Sequence, residues 1–508
     1  MTPGFVAFDS IWSRVVDAVA SAGAIPERAE PVYLVRNLHG QVRVAVSEEV
    51  EADVSSRKAL DLLATHLRSA LGAHGPSADG GVLFVTPSLL ADTRETAREV
   101  RRGVYLVERL VTGGDWWRVG EPRAASEARR YTLFSVKGGV GRSTTAAVLA
   151  WHLASNGQRV LVVDLDLESP GLSPAMLEAA ASPSFGVTDW FVEDLVGQGE
   201  YVIGEMTAAP AWAHDLEGDV RVVPAHGRDP GEYLAKLGRV YMNTGGTWSA
   251  RLECLLSRLE VNHRPTAIIM ESRSGLHDIA AATVTDLDAH VLLFATDTDS
   301  TWTDYDVLFR HWERYGLATE IRERLSIVSA LTPERDTARY LQGFRERSWD
   351  LFRSVYDEVP PAQNAGDAYS FDLHDDEAPH QPVPILWNRG LAAGASLRDL
   401  PSGEAAVAAA YAGFLMRFDT VTLTTRRLNT YTCRAPTARR WIRTAPWSPA
   451  CEGRARPSGG APCRTRPCAG CWATKMRRWS GAREPRSASG SGSGPRRIST
   501  PARTCCEA

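Results

Sequence analysis

Cysteine is almost missing from the body of this chain. Of eight cysteines, only Cys254 precedes position 421. A large body with one thiol fits a reducing compartment and excludes a disulfide framework. Long apolar runs are missing too: no stretch approaches the roughly 18 consecutive apolar residues that a membrane-spanning helix needs. The opening "MTPGFVAFDSIWSRVV" carries Asp9 before any basic residue and has no signal-peptide core. The expected location is therefore cytoplasmic. Positive charge is also scarce where it would matter for nucleic acid. The net charge of −4 hides a split, with 18 Lys+Arg and 3 Asp+Glu from Val421 onward and an acidic remainder. An acidic body gains nothing from general attraction to phosphate backbones, so nonspecific DNA is an unlikely partner.

What is present falls into four segments. Residues 1–128 read as an α+β domain. "PVYLVRNLHGQVRVAVS" is a plausible hairpin around His39-Gly40, "SSRKALDLLATHLRSAL" has helical spacing, and "GGVLFVTP" is a short buried strand. "GVYLVERLVTGGDWWRV" reads as a second hairpin, and "EPRAASEARR" as a linker. Residues 129–331 alternate strand and helix: "YTLFSV", "RVLVVDLD", "DVRVVPA", "TAIIMES", "HVLLFAT" and "LSIVSAL" are apolar strands. That alternation predicts an α/β, doubly wound, mostly parallel sheet covered on both faces. Residues 332–420 are expected to be a mainly helical C-terminal segment ending in "GEAAVAAAYAGFLMRF". Residues 421–508 show no period of either kind and are rich in Arg, Pro, Gly, Ser, Cys and Trp. The mixture matches a GC-rich gene read out of frame, so a non-native, disordered basic tail is expected.

The chemistry concentrates in "FSVKGGVGRSTTAAVLAWHLA". A glycine-rich loop here follows a strand and opens a helix, the context that makes a phosphate loop credible. Gly138, Gly139 and Gly141 allow successive backbone N–H groups to share one concavity, and the helix start adds its positive dipole end. Ser143 supplies a hydroxyl of the kind that ligates Mg²⁺. "VVDLDLESPG" delivers Asp164, Asp166 and Glu168 to the carboxyl end of the next strand, and "IIMESRSG" delivers Glu271 to the same edge. Such a concentration of carboxylates is costly unless a cation or water shares them. A glycine turn joining strand to helix is the bland alternative for the loop alone.

These residues resemble the ParA/MinD family of deviant P-loop ATPases, and the arginine at 142 resembles a KGGVGR-motif variant subgroup. The likeness covers about Tyr131 to Thr298 well and the helices to about 418 more loosely. It implies ATP and Mg²⁺ as cofactors, a homodimer formed with ATP, and an unidentified protein partner. It implies that the loop Gly138, Gly139, Val140, Gly141, Arg142, Ser143 and Thr144 holds the nucleotide. Lys137 would reach across the dimer, and Asp166 would position the attacking water. Ser143, Asp164 and Glu271 would serve the metal. The family usually has lysine at 142 and aspartate at 271. Arginine keeps the charge and adds a planar fork that suits phosphate. Glutamate is one methylene longer. Both changes are expected to slow turnover more than they weaken binding. The expected function is an ATP-binding, slowly hydrolysing switch that regulates a partner, with residues 1–128 as reader or transmitter. A non-hydrolysing nucleotide-binding scaffold is the alternative.

Other motifs take plainer readings. Cys463, Cys468 and Cys471 suggest an iron–sulfur carrier or zinc, but no fourth ligand is evident. A lone Tyr431 in the tail is poor support for a tyrosine kinase. The Gly403–Phe418 helix is alanine-rich and reads as core-packing, without the basic face of a membrane anchor. His226, His277 and Asp278 read as loop residues, Trp116-Trp117 as a small core and "HDDEAPH" as a solvated loop.

Overall fold

The computed structural model describes residues 5–77, 81–88, 97–110, 113–120, 128–242, 247–358, 368–392 and 397–429. The chain divides into a compact unit, Met1–Arg427, and a second unit, Leu428–Ala508. Nearly all of the second unit lies outside the described residues, so the reading of the tail and its cysteines falls outside them as well.

Two sheets make up the first unit. The amino-terminal sheet has five strands: β1 (Val32–Arg36), β2 (Val42–Ser47), β3 (Val82–Val85), β4 (Arg98–Arg101) and β5 (Val104–Glu108), in the order β3-β2-β1-β5-β4. β1 and β2 form the antiparallel pair that the "NLHG" turn predicts. The helices Ile11–Ser21 and Val54–Leu71 bury Ile11, Val15, Leu60, Leu63 and Leu67 against Val32, Leu34, Val42 and Val44. The expected hairpin over 103–119 is absent. β5 pairs in parallel with β1 and antiparallel with the preceding β4. Gly114–Trp117 is instead a short 3₁₀ turn that buries Trp116 against Phe134 and Trp312 of the second sheet's core. The two tryptophans were drawn away from strand pairing by a larger apolar surface.

The second sheet holds β6 (Arg129–Phe134), β7 (Arg159–Leu165), β8 (Asp219–Val223), β9 (Ala267–Ser272), β10 (His290–Ala295), β11 (Leu325–Thr332) and β12 (Val383–Leu386). The order is β12-β11-β10-β6-β9-β7-β8 and every pairing is parallel. Continuous apolar strands are required because both faces are covered. Alternate residues serve opposite layers: Val160 and Val162 pack under the helix Arg142–Ser155, while Leu161 and Val163 pack under Trp248–His263. β12 adds one short strand to the 332–420 segment, whose longest elements are the helices Thr337–Phe352 and Glu404–Asn429. Its four residues include Pro384, which removes a ladder donor and is tolerated at a sheet edge. The last helix, Glu404–Asn429, packs on it: a Cβ added at Gly413 would meet Pro384 Cγ at 3.2 Å.

Register brings the acidic residues together. Asp164 lies opposite Glu271 across β7 and β9, and Leu133 lies opposite Glu271 across β6 and β9. All three strands end at one edge, beside the turn between β6 and the helix that follows it.

Candidate nucleotide site

The turn after β6 has the backbone that its glycines predict. Gly139 and Gly141 adopt φ of +74° and +87°, and nothing lies within 4 Å of a Cβ built on either. Side chains there would be strained, and the space above the loop is open. Gly141 caps the helix Arg142–Ser155, whose first N–H groups have no intrahelical acceptor. Val140 is buried in the core beneath the loop, so only its backbone is available to a ligand. The loop abuts the segment after β9: Gly275 N donates to Ser135 O at 2.9 Å, and a Cβ on Gly138 would stand 3.7 Å from Ser274 Oγ.

Arg142 is 7% exposed and turned inward. Its guanidinium donates to Ser135 Oγ at 2.5 Å, and Ser135 donates to Lys137 O at 2.6 Å. Two carboxylates stand just beyond hydrogen-bond reach, Asp166 at 3.9 Å and Glu271 at 3.8 Å. Arg142 Nε has no hydrogen-bond partner among the described residues. Ser143 Oγ donates to Glu271 Oε1 at 2.6 Å, while Glu271 Oε2 is buried with no hydrogen-bond partner among the described residues. Thr144 is part-buried, with no described side-chain hydrogen bond. The neighbouring Thr145 bonds Gly141 O and approaches Tyr411 of the last helix at 3.2 Å.

The carboxylates differ in their surroundings. Asp164 is fully buried and already satisfied: Oδ2 accepts from Ser173 N at 2.9 Å and Ser173 Oγ at 2.7 Å, and Oδ1 accepts from Asp166 N at 3.2 Å. Burial pushes it up to about 6 against those bonds. Burial first, then the Asp164 charge, pushes Glu271 up to about 8. Asp166 is raised by burial, opposed by Arg142. A group of ionisable residues with raised values in one crevice is a recognised signature of function.

Lys137 points elsewhere. Its Nζ pairs with Asp304 Oδ2 at 2.5 Å on the helix Asp299–Tyr315, both side chains being 39% exposed. Asp304, Ser135 and Ser173 carried no sequence signal, because each reaches the site through folding and not through a motif. His226 Nδ1 donates to its neighbour Gly227 O at 2.7 Å, as a loop histidine would. His277 instead stands 3.9 Å from Glu168, which also binds Arg273.

The donor set suits a divalent cation of the Mg²⁺ type. Ser143 and Glu271 are hard oxygen donors converging at one point, with one carboxylate oxygen left over. Ser143 follows directly on the loop that is open at Gly139 and Gly141.

The phosphate-loop region matches a known family. A family model described as "ParA: NUBPL iron-transfer P-loop NTPase" matches residues 128–190. The chromosome-partitioning ATPase Soj of Thermus thermophilus is 56% identical over 41 residues, 8% of this chain and 16% of that protein. The ATPase ARSA1 of Chlamydomonas reinhardtii is 31% identical over 111 residues, 22% of this chain and 12% of that protein. The chain thus spans under a fifth of the length of either relative. A plasmid partition protein from Borrelia burgdorferi aligns over 43% of this chain and 85% of its own, at 16% identity and a TM-score of 0.31. With the phosphate loop seated between β6 and its helix, residues 128–190 of the central sheet are similar to the ParA-type P-loop NTPases.

Proposed function

We propose that the chain is a nucleotide switch: it binds ATP with Mg²⁺ at residues 138–144, dimerises in that state, hydrolyses slowly and thereby regulates a protein partner. The observation that carries the reading is the convergence of Ser143, Glu271, Asp166 and Arg142 on one crevice beside an open phosphate loop. Arg142 would grip the β- and γ-phosphates with its planar fork. Ser143 and Glu271 would hold the metal, and Asp164, fixed by Ser173, would keep the β7 end in register. Mg²⁺ bound there supplies charge to the phosphoryl oxygens during transfer. Asp166 would orient the attacking water. Lys137 must leave Asp304 before it can reach a second subunit.

Residues 1–128 have a physical route to this site. Gly113 N donates to Asp278 Oδ1, next to His277. Thr285 donates to Asp115 O at 3.0 Å, and Arg118 binds Asp286 at 2.6 Å. His311 contacts Trp116 O at 2.9 Å on the helix that also carries Asp304. The strap 113–120 thus touches both the segment after β9 and the holder of Lys137, which supports the transmitter role.

A second reading has one observation in its favour. Arg142 is drawn toward Asp166 and Glu271, an arrangement that could hold nucleotide without cycling. Phosphate release by the purified protein, with Asp166→Ala as control, separates the two. Wild-type release well above the control supports the switch, and equal release supports a scaffold. No helix among the described residues is long and apolar enough to cross a membrane.

A further inference from the structure

The segment after β9 carries a cation that no motif reading assigned. Arg273 Nη1 binds Glu168 Oε1 at 2.5 Å, with the two side chains 33% and 21% exposed. Glu168 lies two residues beyond Asp166 on the segment after β7. Tyr241 also donates to Glu168 Oε1, His277 Nε2 lies 3.9 Å from it, and Tyr233 donates to Leu167 O. On its other side, Arg273 is followed by Ser274 and Gly275, which meet the phosphate loop at Gly138 and Ser135. The ion pair therefore joins the segments after β7 and β9, and the Gly275–Ser135 hydrogen bond ties the latter to the end of β6.

We infer that Arg273 is a positioning residue for phosphoryl transfer: through Glu168 it holds the Asp166 segment in place beside the phosphate loop. The inference rests on Asp166 being the water-orienting carboxylate. Asp166 itself makes no close ion pair, since Arg142 stands 3.9 Å away. Its position is set by its backbone and by what holds the following residues. A displacement of about 1 Å at such a group is enough to cost roughly a hundredfold in rate. Nucleotide binding depends on the loop amides and Arg142, which the pair does not touch, so the effect falls on turnover. Glu168 Oε2 is buried and has no partner among the described residues. Among the described residues its bonding passes through Oε1, so the loss of Arg273 leaves the carboxylate without its arginine partner.

The test uses the full chain with Arg273→Ala, Arg273→Lys and Glu168→Gln, and two readouts. Steady-state phosphate release gives kcat and KM for MgATP; backbone hydrogen exchange in the 166–173 segment needs no nucleotide. For Arg273→Ala, kcat is expected to fall at least about tenfold with KM changed by less than about threefold. Exchange in 166–173 is expected to quicken at least about threefold while β6 and β9 stay protected. Arg273→Lys should recover part of both effects, and Glu168→Gln should reproduce the alanine result. Unchanged kcat, a matched loss of kcat and affinity, or unchanged exchange overturns the inference. Should the wild type release no phosphate, hydrolysis is what fails, and exchange alone decides whether Arg273 holds the segment.

Discussion

Two buried arginines flank the central strand, and their surroundings are opposite. Arg130, near the amino end of β6, is 4% exposed and fully engaged. It reaches Glu253 with both terminal nitrogens, Glu260 with Nε and Nη2 at 3.2 and 3.0 Å, and Leu287 O at 3.4 Å. Arg142, just past the carboxyl end, is 7% exposed and its guanidinium makes one hydrogen bond among the described residues, to Ser135, while two carboxylates wait at 3.8–3.9 Å. A guanidinium has five donors, and leaving them unused in a buried setting is costly. The first cluster is closed and holds the fold. The second is under-bonded and has capacity for a ligand. Burial and charge alone do not tell the two apart; completeness of bonding does.

The largest effect should come from breaking each arginine in turn. Arg130→Ala should destabilise the fold by about 2–3 kcal/mol, since it leaves Glu253 and Glu260, 35% and 16% exposed, without the buried cation that holds them. Urea unfolding would measure that loss. Arg142→Ala should cost far less stability but weaken ATP binding at least about tenfold, because a charge-assisted fork is lost. Similar stability losses for both variants would erase the distinction between them.

Next in size is the pH response of Glu271. Its carboxyl is pushed from 4.5 up to about 8 by burial. Between those values the folded state holds a proton that the unfolded state has released. Stability from this group is therefore present at low pH and lost as pH rises through about 8. Glu271→Gln should flatten that decline between about pH 5 and pH 8 in thermal unfolding and gain roughly 1–3 kcal/mol at the alkaline end. The same variant should lose the Mg²⁺-dependence of nucleotide affinity. A gain in stability bought with a loss of metal response would mark a functional site.

The smallest effect concerns Lys137. Its pair with Asp304 is 39% exposed on both sides, and such pairs are worth about 0–1 kcal/mol. Asp304→Asn should leave stability unchanged and favour the ATP-dependent dimer by no more than about fivefold, read by light scattering across a concentration series. A weaker dimer would mean that Asp304 presents Lys137 to the partner and does not restrain it.

Much of the site could be read in the sequence because its parts sit on strand ends. Apolar runs fixed β6, β7 and β9, and residues at their carboxyl ends had to share an edge. Ser143 and Glu271, 128 positions apart, meet at 2.6 Å for that reason. Other contacts had no local pattern. Asp304 and Ser173 belong to two helices, Asp299–Tyr315 and Leu172–Met176, whose orientation depends on packing. Arg273 followed a strand that was recognised, but nothing in "ESRSG" says that its charge turns toward Glu168. The strap 113–120 was misread because Trp116 and Trp117 fit a strand by propensity, while the second sheet offered them a larger apolar surface. β12 was missed because four residues containing a proline carry too little period to register.

The central claim is that the under-bonded crevice at the end of β6 takes a triphosphate with its metal. Isothermal titration calorimetry of the full chain with ATP, with and without Mg²⁺, tests it directly. The account predicts one site per chain, tighter with Mg²⁺ and weakened at least about tenfold by Arg142→Ala. No heat with adenine or guanine triphosphates in the presence of Mg²⁺ would contradict it.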